Sequence, residues 1–90
     1  MWQVYLVRCS DGSLYTGISK NIDHRIYQHN FTKKGAKYTR SRRPVVLAWS
    51  SEHLSKSGAL KLEAKIKKLS KKNKEGLIAS TFSIIDDSNC

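Results

Sequence analysis

Ninety residues carry seventeen lysines and arginines against seven acids, a net charge of +10. A chain this short buries only roughly two thirds of its unfolded surface, which suffices for one hydrophobic core and excludes two. No apolar run approaches the ~20 residues that span a bilayer, and residues 1–4 lack the charged start and long apolar stretch of a signal peptide, so a cytoplasmic protein without a membrane partner is expected.

Residues 2–8 (Trp2-Gln3-Val4-Tyr5-Leu6-Val7-Arg8) and 14–18 (Leu14-Tyr15-Thr16-Gly17-Ile18) are rich in aromatic and β-branched side chains. Ser10-Asp11-Gly12 between them is a turn signal, so a β-hairpin opens the fold. Its register depends on the loop. A two-residue loop at Asp11-Gly12 pairs Tyr15 with Arg8 and sends Tyr5 and Tyr15 to opposite faces. A three-residue loop with Gly12 in the left-handed position pairs Tyr15 with Val7 and Tyr5 with Gly17, on one face. Asn21 is a good N-cap for a helix over 22–31, with Gly35 beyond its end. A basic loop follows. Residues 44–50 read as a third strand, with Pro44 at its start where no ladder hydrogen bond is lost. Ser55 or Ser57 caps a second helix, on which Ala59, Leu62, Ile66 and Leu69 form an apolar stripe opposite Lys61, Lys65, Lys68 and Lys72. A short last helix is expected from Lys74 to about Ser80, then a loosely held terminus ending Asp86-Asp87-Ser88-Asn89-Cys90. The order β-β-α-β-α-α has too few strands for a doubly wound sheet and predicts an α+β fold, a small three-stranded sheet flanked by helices. Residues 1–82 form the domain and 83–90 a tail. Cys9 and Cys90 have no metal-ligand spacing to each other or to the histidines, and reduced thiols are expected.

The charge is clustered. Residues 33–43 hold six bases (Lys33, Lys34, Lys37, Arg40, Arg42 and Arg43) and no acid, with Tyr38 among them, and residues 56–74 hold eight lysines and the single acid Glu63. Clustered bases attract polyanions through counterion release, so nucleic acid is the first partner to consider, ahead of an anionic membrane surface or a merely solvated face. Two placements go against packing. At about 100° per residue, Arg25 and His29 share the face of the first helix that Ile22 and Ile26 should bury. Arg25 either snorkels over the rim with His29 capping the helix end, or the two meet a phosphate oxygen. On the second long helix Glu63 sits about 80° from the centre of the apolar stripe, at its edge, where it either pairs with Lys67 or reaches a cavity beside the sheet.

Tyr5, Tyr15-Thr16-Gly17, Arg25, His29 and Glu63, in that order on hairpin, helix and second long helix, resemble the GIY-YIG nuclease family. The family's two triplets stand here as Val4-Tyr5-Leu6 and Tyr15-Thr16-Gly17, each keeping its tyrosine and the second its glycine. Tyr38-Thr39-Arg40 and Arg43-Pro44 make the chain similar to the small stand-alone bacterial members, relatives of the UvrC N-terminal nuclease domain. The first triplet departs in lacking its glycine and isoleucine, Ile18 stands where the UvrC domain has a lysine, and Asn73 is the available counterpart of a polar residue that joins the UvrC-like site.

The resemblance implies a metal-dependent endonuclease acting on nucleic acid, DNA before RNA, in repair or processing. It makes Tyr5, Tyr15, Arg25, His29 and Glu63 catalytic. Tyr5 would orient or deprotonate the attacking water with help from His29, Arg25 and Tyr15 would hold the scissile phosphate, and Glu63 would bind one Mg²⁺ or Mn²⁺. Lys33, Lys34, Lys37, Tyr38, Arg40, Arg42 and Arg43 would track the nucleic-acid backbone with little base readout. The rival reading is a non-enzymatic nucleic-acid-binding module that keeps the fold with an idle site. A monomer is expected, since no long heptad or spare apolar patch argues for a dimer.

Overall fold

The computed structural model describes residues 1–88, with side chains described over residues 1–79. Strand β1 (Gln3–Arg8) and strand β2 (Leu14–Ser19) form the hairpin, helix α1 (Ile22–Phe31) and the one-turn helix α2 (Lys37–Arg40) follow, and strand β3 (Val46–Ser50) leads to helices α3 (Lys56–Lys67) and α4 (Lys71–Ser88). The fold is α+β, with an antiparallel sheet ordered β2-β1-β3.

Of the two loop registers, the three-residue one is formed. The Cys9 N–H donates to the Ser13 carbonyl at 2.8 Å and the Gly12 N–H to the Cys9 carbonyl at 2.9 Å, with Gly12 at φ 84°. Positive φ is open to glycine without a Cβ penalty, and this turn geometry matches strand twist. Tyr5 therefore faces Gly17 and Val7 faces Tyr15.

As the middle strand, β1 is covered on both faces, and Val4, Tyr5, Leu6 and Val7 are all buried. The period-2 alternation sorts them into two clusters. Tyr5 and Val7 pack with Cys9, Ile22 and Val45, against which Tyr15 and Ile26 also rest, on the α1 side. Val4 and Leu6 pack with Ala59 and Ile66 on the other side, where Leu62, Leu69 and Leu77 complete the contact with α3 and α4. Ala59, Leu62 and Ile66 of the expected stripe thus form the inner face of α3, whereas Leu69 lies past its end and Lys72 on α4; Lys61, Lys65 and Lys68 lie exposed. A groove of about 520 Å³ between Trp49, Leu62, Ile66, Leu69 and Leu77 lies on that second side.

The caps explain where helices start. The Asn21 side chain accepts from the His24 N–H at 3.1 Å and the Ser55 hydroxyl from the Gly58 N–H at 3.1 Å, so Ser55 rather than Ser57 is the cap. The structure departs from expectation at several boundaries and adds one element. The strand begins at Val46 rather than Pro44, because the Asn30 amide takes both backbone groups of Val45, donating to its carbonyl at 3.0 Å and accepting from its N–H at 2.7 Å. The basic loop contains α2, a single turn too short for any periodicity to betray. The last helix starts at Lys71 rather than Lys74, because the Ser70 hydroxyl accepts from the Asn73 N–H at 3.1 Å, and it continues to Ser88 through most of the expected tail. Cys9 is buried and free; residues 89 and 90, including Cys90, lie outside the described residues.

Candidate functional site

The site forms where α1 and the segment after it close over the Tyr5 face of the sheet. Tyr5 is 1 % exposed, and its hydroxyl meets His29 Nε2 at 2.7 Å. His29, fully buried, is held from behind by the Thr39 hydroxyl, 2.8 Å from Nδ1. The Thr39 hydroxyl also reaches the Ala36 carbonyl at 2.9 Å, and the Ala36 N–H approaches Nδ1 at 3.4 Å, so both ring nitrogens of His29 are engaged.

Gly17 is what lets Tyr5 lie there. A Cβ at position 17 would fall 2.5 Å from Tyr5 Oη and 2.6 Å from Cζ, inside contact distance of a ring that burial and the His29 bond hold in place. The second triplet's glycine is thus a steric requirement of the first triplet's tyrosine, set by the cross-strand pair Tyr5↔Gly17.

Arg25 stands beside the Tyr5 hydroxyl, and its Nη1 donates to Gln28 Oε1 at 2.9 Å and to the Lys34 carbonyl at 2.8 Å. Tyr15 presents its ring to the edge of His29 at 5.5 Å between centroids. The electrostatics follow from burial. Burial pushes the Tyr5 phenol up to about 12; the hydrogen bond and charge of Arg25 pull against that rise, and Tyr15 and the Glu63 carboxylate add to it. Burial, then the positive charges of Arg25 and Arg43, hold His29 down to about 4, so the imidazole is neutral at pH 7.

Glu63 sits where helix geometry put it, at the edge of the α3 stripe, with a side chain 17 % exposed and 3.4 Å from Lys67 Nζ. Of the two expected roles the Lys67 pair is the one formed, and the carboxylate's charge is also felt at Tyr5. Among the described residues no three or more His, Cys, Asp or Glu side chains gather as metal ligands. A lone recessed carboxylate suits Mg²⁺ or Mn²⁺ shared with a substrate phosphate, since such ions are usually held by one or two carboxylates, phosphate oxygens and water.

The basic segment divides. Lys33, Lys34, Lys37 and Arg40 are exposed. Arg43 instead turns inward: its Nε donates to the His29 carbonyl at 2.5 Å and its Nη2 to the carbonyls of Thr32 and Gln28, satisfying the last turn of α1. A guanidinium is the natural partner for the orphan carbonyls and negative end of a helix. Arg42 lies over the ring of Tyr38. Asn73 is exposed in the first turn of α4. Sequence reasoning passed over Thr39, which holds the His29 ring, and Gln28, which steadies Arg25. Nothing in one sequence marks Gln28; Thr39 lies within the Tyr38-Thr39-Arg40 stretch, which was the available signal.

Comparison with known proteins agrees with this geometry. The family model described as "GIY-YIG catalytic domain" matches residues 1–76. A UPF0213 protein of Desulfotalea psychrophila is 50 % identical over 80 residues, covering 89 % of this chain and 73 % of that protein. Another from Syntrophus aciditrophicus is 53 % identical, covering 83 % and 86 %. The solution NMR structure of a UPF0213 protein from Bacillus halodurans aligns with TM-score 0.56 at 42 % identity over 88 % of this chain and 84 % of that one. That of a protein from E. faecalis gives 0.60 at 39 % identity over 91 % and 85 %. With both motif tyrosines and the glycine opposite Tyr5 on one face of the sheet, the helical arginine beside them, and a family match spanning most of the sequence, the chain belongs to the GIY-YIG catalytic domain family, among its small UPF0213 members.

Proposed function

We propose that the protein is a metal-dependent endonuclease that hydrolyses phosphodiesters in nucleic acid, DNA before RNA, in cytoplasmic repair or processing. The observation that carries this reading is the buried Tyr5–His29–Thr39 hydrogen-bond chain with Arg25 beside the phenol. Such a chain is costly to bury for packing alone, and it is what moving a proton beside a phosphate requires.

Arg25 takes a phosphoryl oxygen of the scissile group, and Tyr15 positions that group. Tyr5 orients the attacking water and accepts its proton as its own passes to His29 Nε2. A phenol near 12 and an imidazole near 4 are poorly matched in the free protein. Substrate improves the match, because the phosphodiester monoanion on Arg25 offsets one of the charges that hold His29 down. In this scheme Nδ1 carries the resting proton, with the Thr39 hydroxyl as its acceptor, and Nε2 takes the proton from Tyr5. Glu63 would hold Mg²⁺ or Mn²⁺, which when bound stabilises charge on the phosphoryl group and the departing oxygen. Lys33, Lys34, Lys37 and Arg40 would follow the backbone, giving salt-dependent, sequence-tolerant binding.

The test is cleavage of labelled single-stranded, duplex, flapped and branched DNA and RNA with Mg²⁺, Mn²⁺ or EDTA, using wild type, Tyr5→Phe and Glu63→Ala. The expected result is cutting that needs metal, Tyr5 and Glu63 while both variants still bind. Tight binding with no cutting under any condition would leave a nucleic-acid-binding module, and normal cutting by Glu63→Ala would remove Glu63 as the metal ligand.

A further inference from the structure

Arg42 and Tyr38 stand at the surface, yet neither side chain is loose. The Arg42 Cζ lies 3.8 Å from the centre of the Tyr38 ring. The Tyr15 ring packs on the same tyrosine, 5.9 Å between centroids and 26° from parallel. A guanidinium so near the ring centre leaves no space for a second ring on that face, so Tyr38 is held between Arg42 and Tyr15. Arg42 is itself clamped: Nε donates to Asp11 Oδ2 at 3.1 Å, and Nη1 to the Tyr38 carbonyl at 2.9 Å and to Ser41 Oγ at 3.2 Å. Asp11 is fixed in turn by the Ser13 N–H at 3.0 Å and hydroxyl at 2.6 Å. The column thus runs from the hairpin turn through Arg42 and Tyr38 to Tyr15, whose ring also meets His29.

An arginine whose donors point at protein acceptors, and whose charge already faces a carboxylate, is ill suited to following a phosphate backbone. Laid flat on an aromatic face, it braces a ring. We propose that Arg42 and Tyr38 are positioning residues that hold Tyr15 at the angle from which its hydroxyl meets the scissile phosphate, with Asp11 anchoring the column. The proposal rests on the assignment of Tyr15 to the phosphate site. A hydroxyl on a ring free to swing misses its partner by an ångström or more, which costs about 100-fold in rate where chemistry needs alignment.

The experiment uses the full chain labelled with 3-fluorotyrosine, with the Tyr15 ¹⁹F resonance assigned through Tyr15→Phe. Tyr38→Ala and Arg42→Ala are expected to shift and broaden that resonance, Tyr38→Phe to restore it, and Arg42→Lys to fail like alanine because an ammonium has no plane to stack. In cleavage assays the two alanine variants should lose about 10- to 100-fold in kcat with KM within about 2-fold, and Tyr38→Phe should recover most of it. Asp11→Asn, which loosens Arg42 without removing a stacking group, should move the resonance in the same direction by less, and serves if Tyr38→Ala does not fold. An unmoved Tyr15 resonance in Tyr38→Ala and Arg42→Ala would overturn the proposal. So would a loss confined to KM with a smaller salt dependence, the signature of a phosphate-tracking Arg42. If wild type cuts no substrate, the nuclease reading falls while the resonance alone still decides whether the column positions Tyr15.

Discussion

Acidification should unfold this protein through His29. In the folded chain the imidazole is held down to about 4 from 6.5, by burial and then by Arg25 and Arg43. Between those values the unfolded chain binds a proton that the folded chain refuses. Stability from this group is therefore complete above 6.5 and is lost as pH falls towards 4. At about 1.4 kcal/mol per proton per pH unit, the loss is about 2 kcal/mol between pH 7 and pH 5 and about 3 kcal/mol by pH 4. That is a large fraction of the roughly 5–10 kcal/mol typical of a small domain. Asp11, held down by Ser13 and Arg42, and Glu75, held down by Arg8, lose their contributions only below the ordinary carboxylate range, so pH 5–7 isolates His29. Urea unfolding at pH 7, 6 and 5 measures it: with a slope of about 1 kcal/mol per molar, the midpoint should fall by about 2 M. His29→Gln should be less stable at pH 7, having lost the Tyr5 and Thr39 bonds, but nearly flat across the range. A wild-type midpoint that does not move, or a Gln variant that falls as steeply, would refute the account of a buried neutral imidazole.

Three further substitutions probe the architecture. Gly17→Ala puts a methyl into the Tyr5 ring; with the ring 1 % exposed and bonded to His29, we expect a loss of about 1–3 kcal/mol by urea melt and a larger loss of cleavage than of binding. Thr16 Oγ1 is buried without a hydrogen-bond partner among the described residues, so the isosteric Thr16→Val should be neutral or more stable by up to about 1 kcal/mol, and a clear destabilisation would reveal a partner for that hydroxyl. Arg43→Gln withdraws the charged donor from the last turn of α1 and should cost about 1–3 kcal/mol with little change in the salt dependence of nucleic-acid binding, whereas Arg40→Gln, exposed, should reduce that dependence and spare the melt.

Much of the site was legible because its residues sit where packing does not want them. Helical periodicity by itself turns Arg25 and His29 inward, and the same geometry places Glu63 at the edge of the α3 stripe; both placements hold. The basic segment was not legible in the same way. Its bases look alike in sequence, but Arg43 caps α1, Arg42 braces Tyr38, and Lys33, Lys34, Lys37 and Arg40 remain exposed. Charge count says that such a segment is positive; only the path of the backbone says which guanidinium is already engaged.

What the sequence by itself determined was therefore local and periodic: the hairpin, the Asn21 cap, the stripe of α3, the one-core α+β plan and the motif residues. These depend on propensities and side-chain spacing that act over a few residues. The tertiary structure decided the hairpin register, the Thr39 bond that holds the His29 ring, the steric need for Gly17 and the fates of Arg42 and Arg43. Each is a contact between segments distant along the chain, set by how hairpin, helix and basic segment close on one another, and no local pattern encodes that closure.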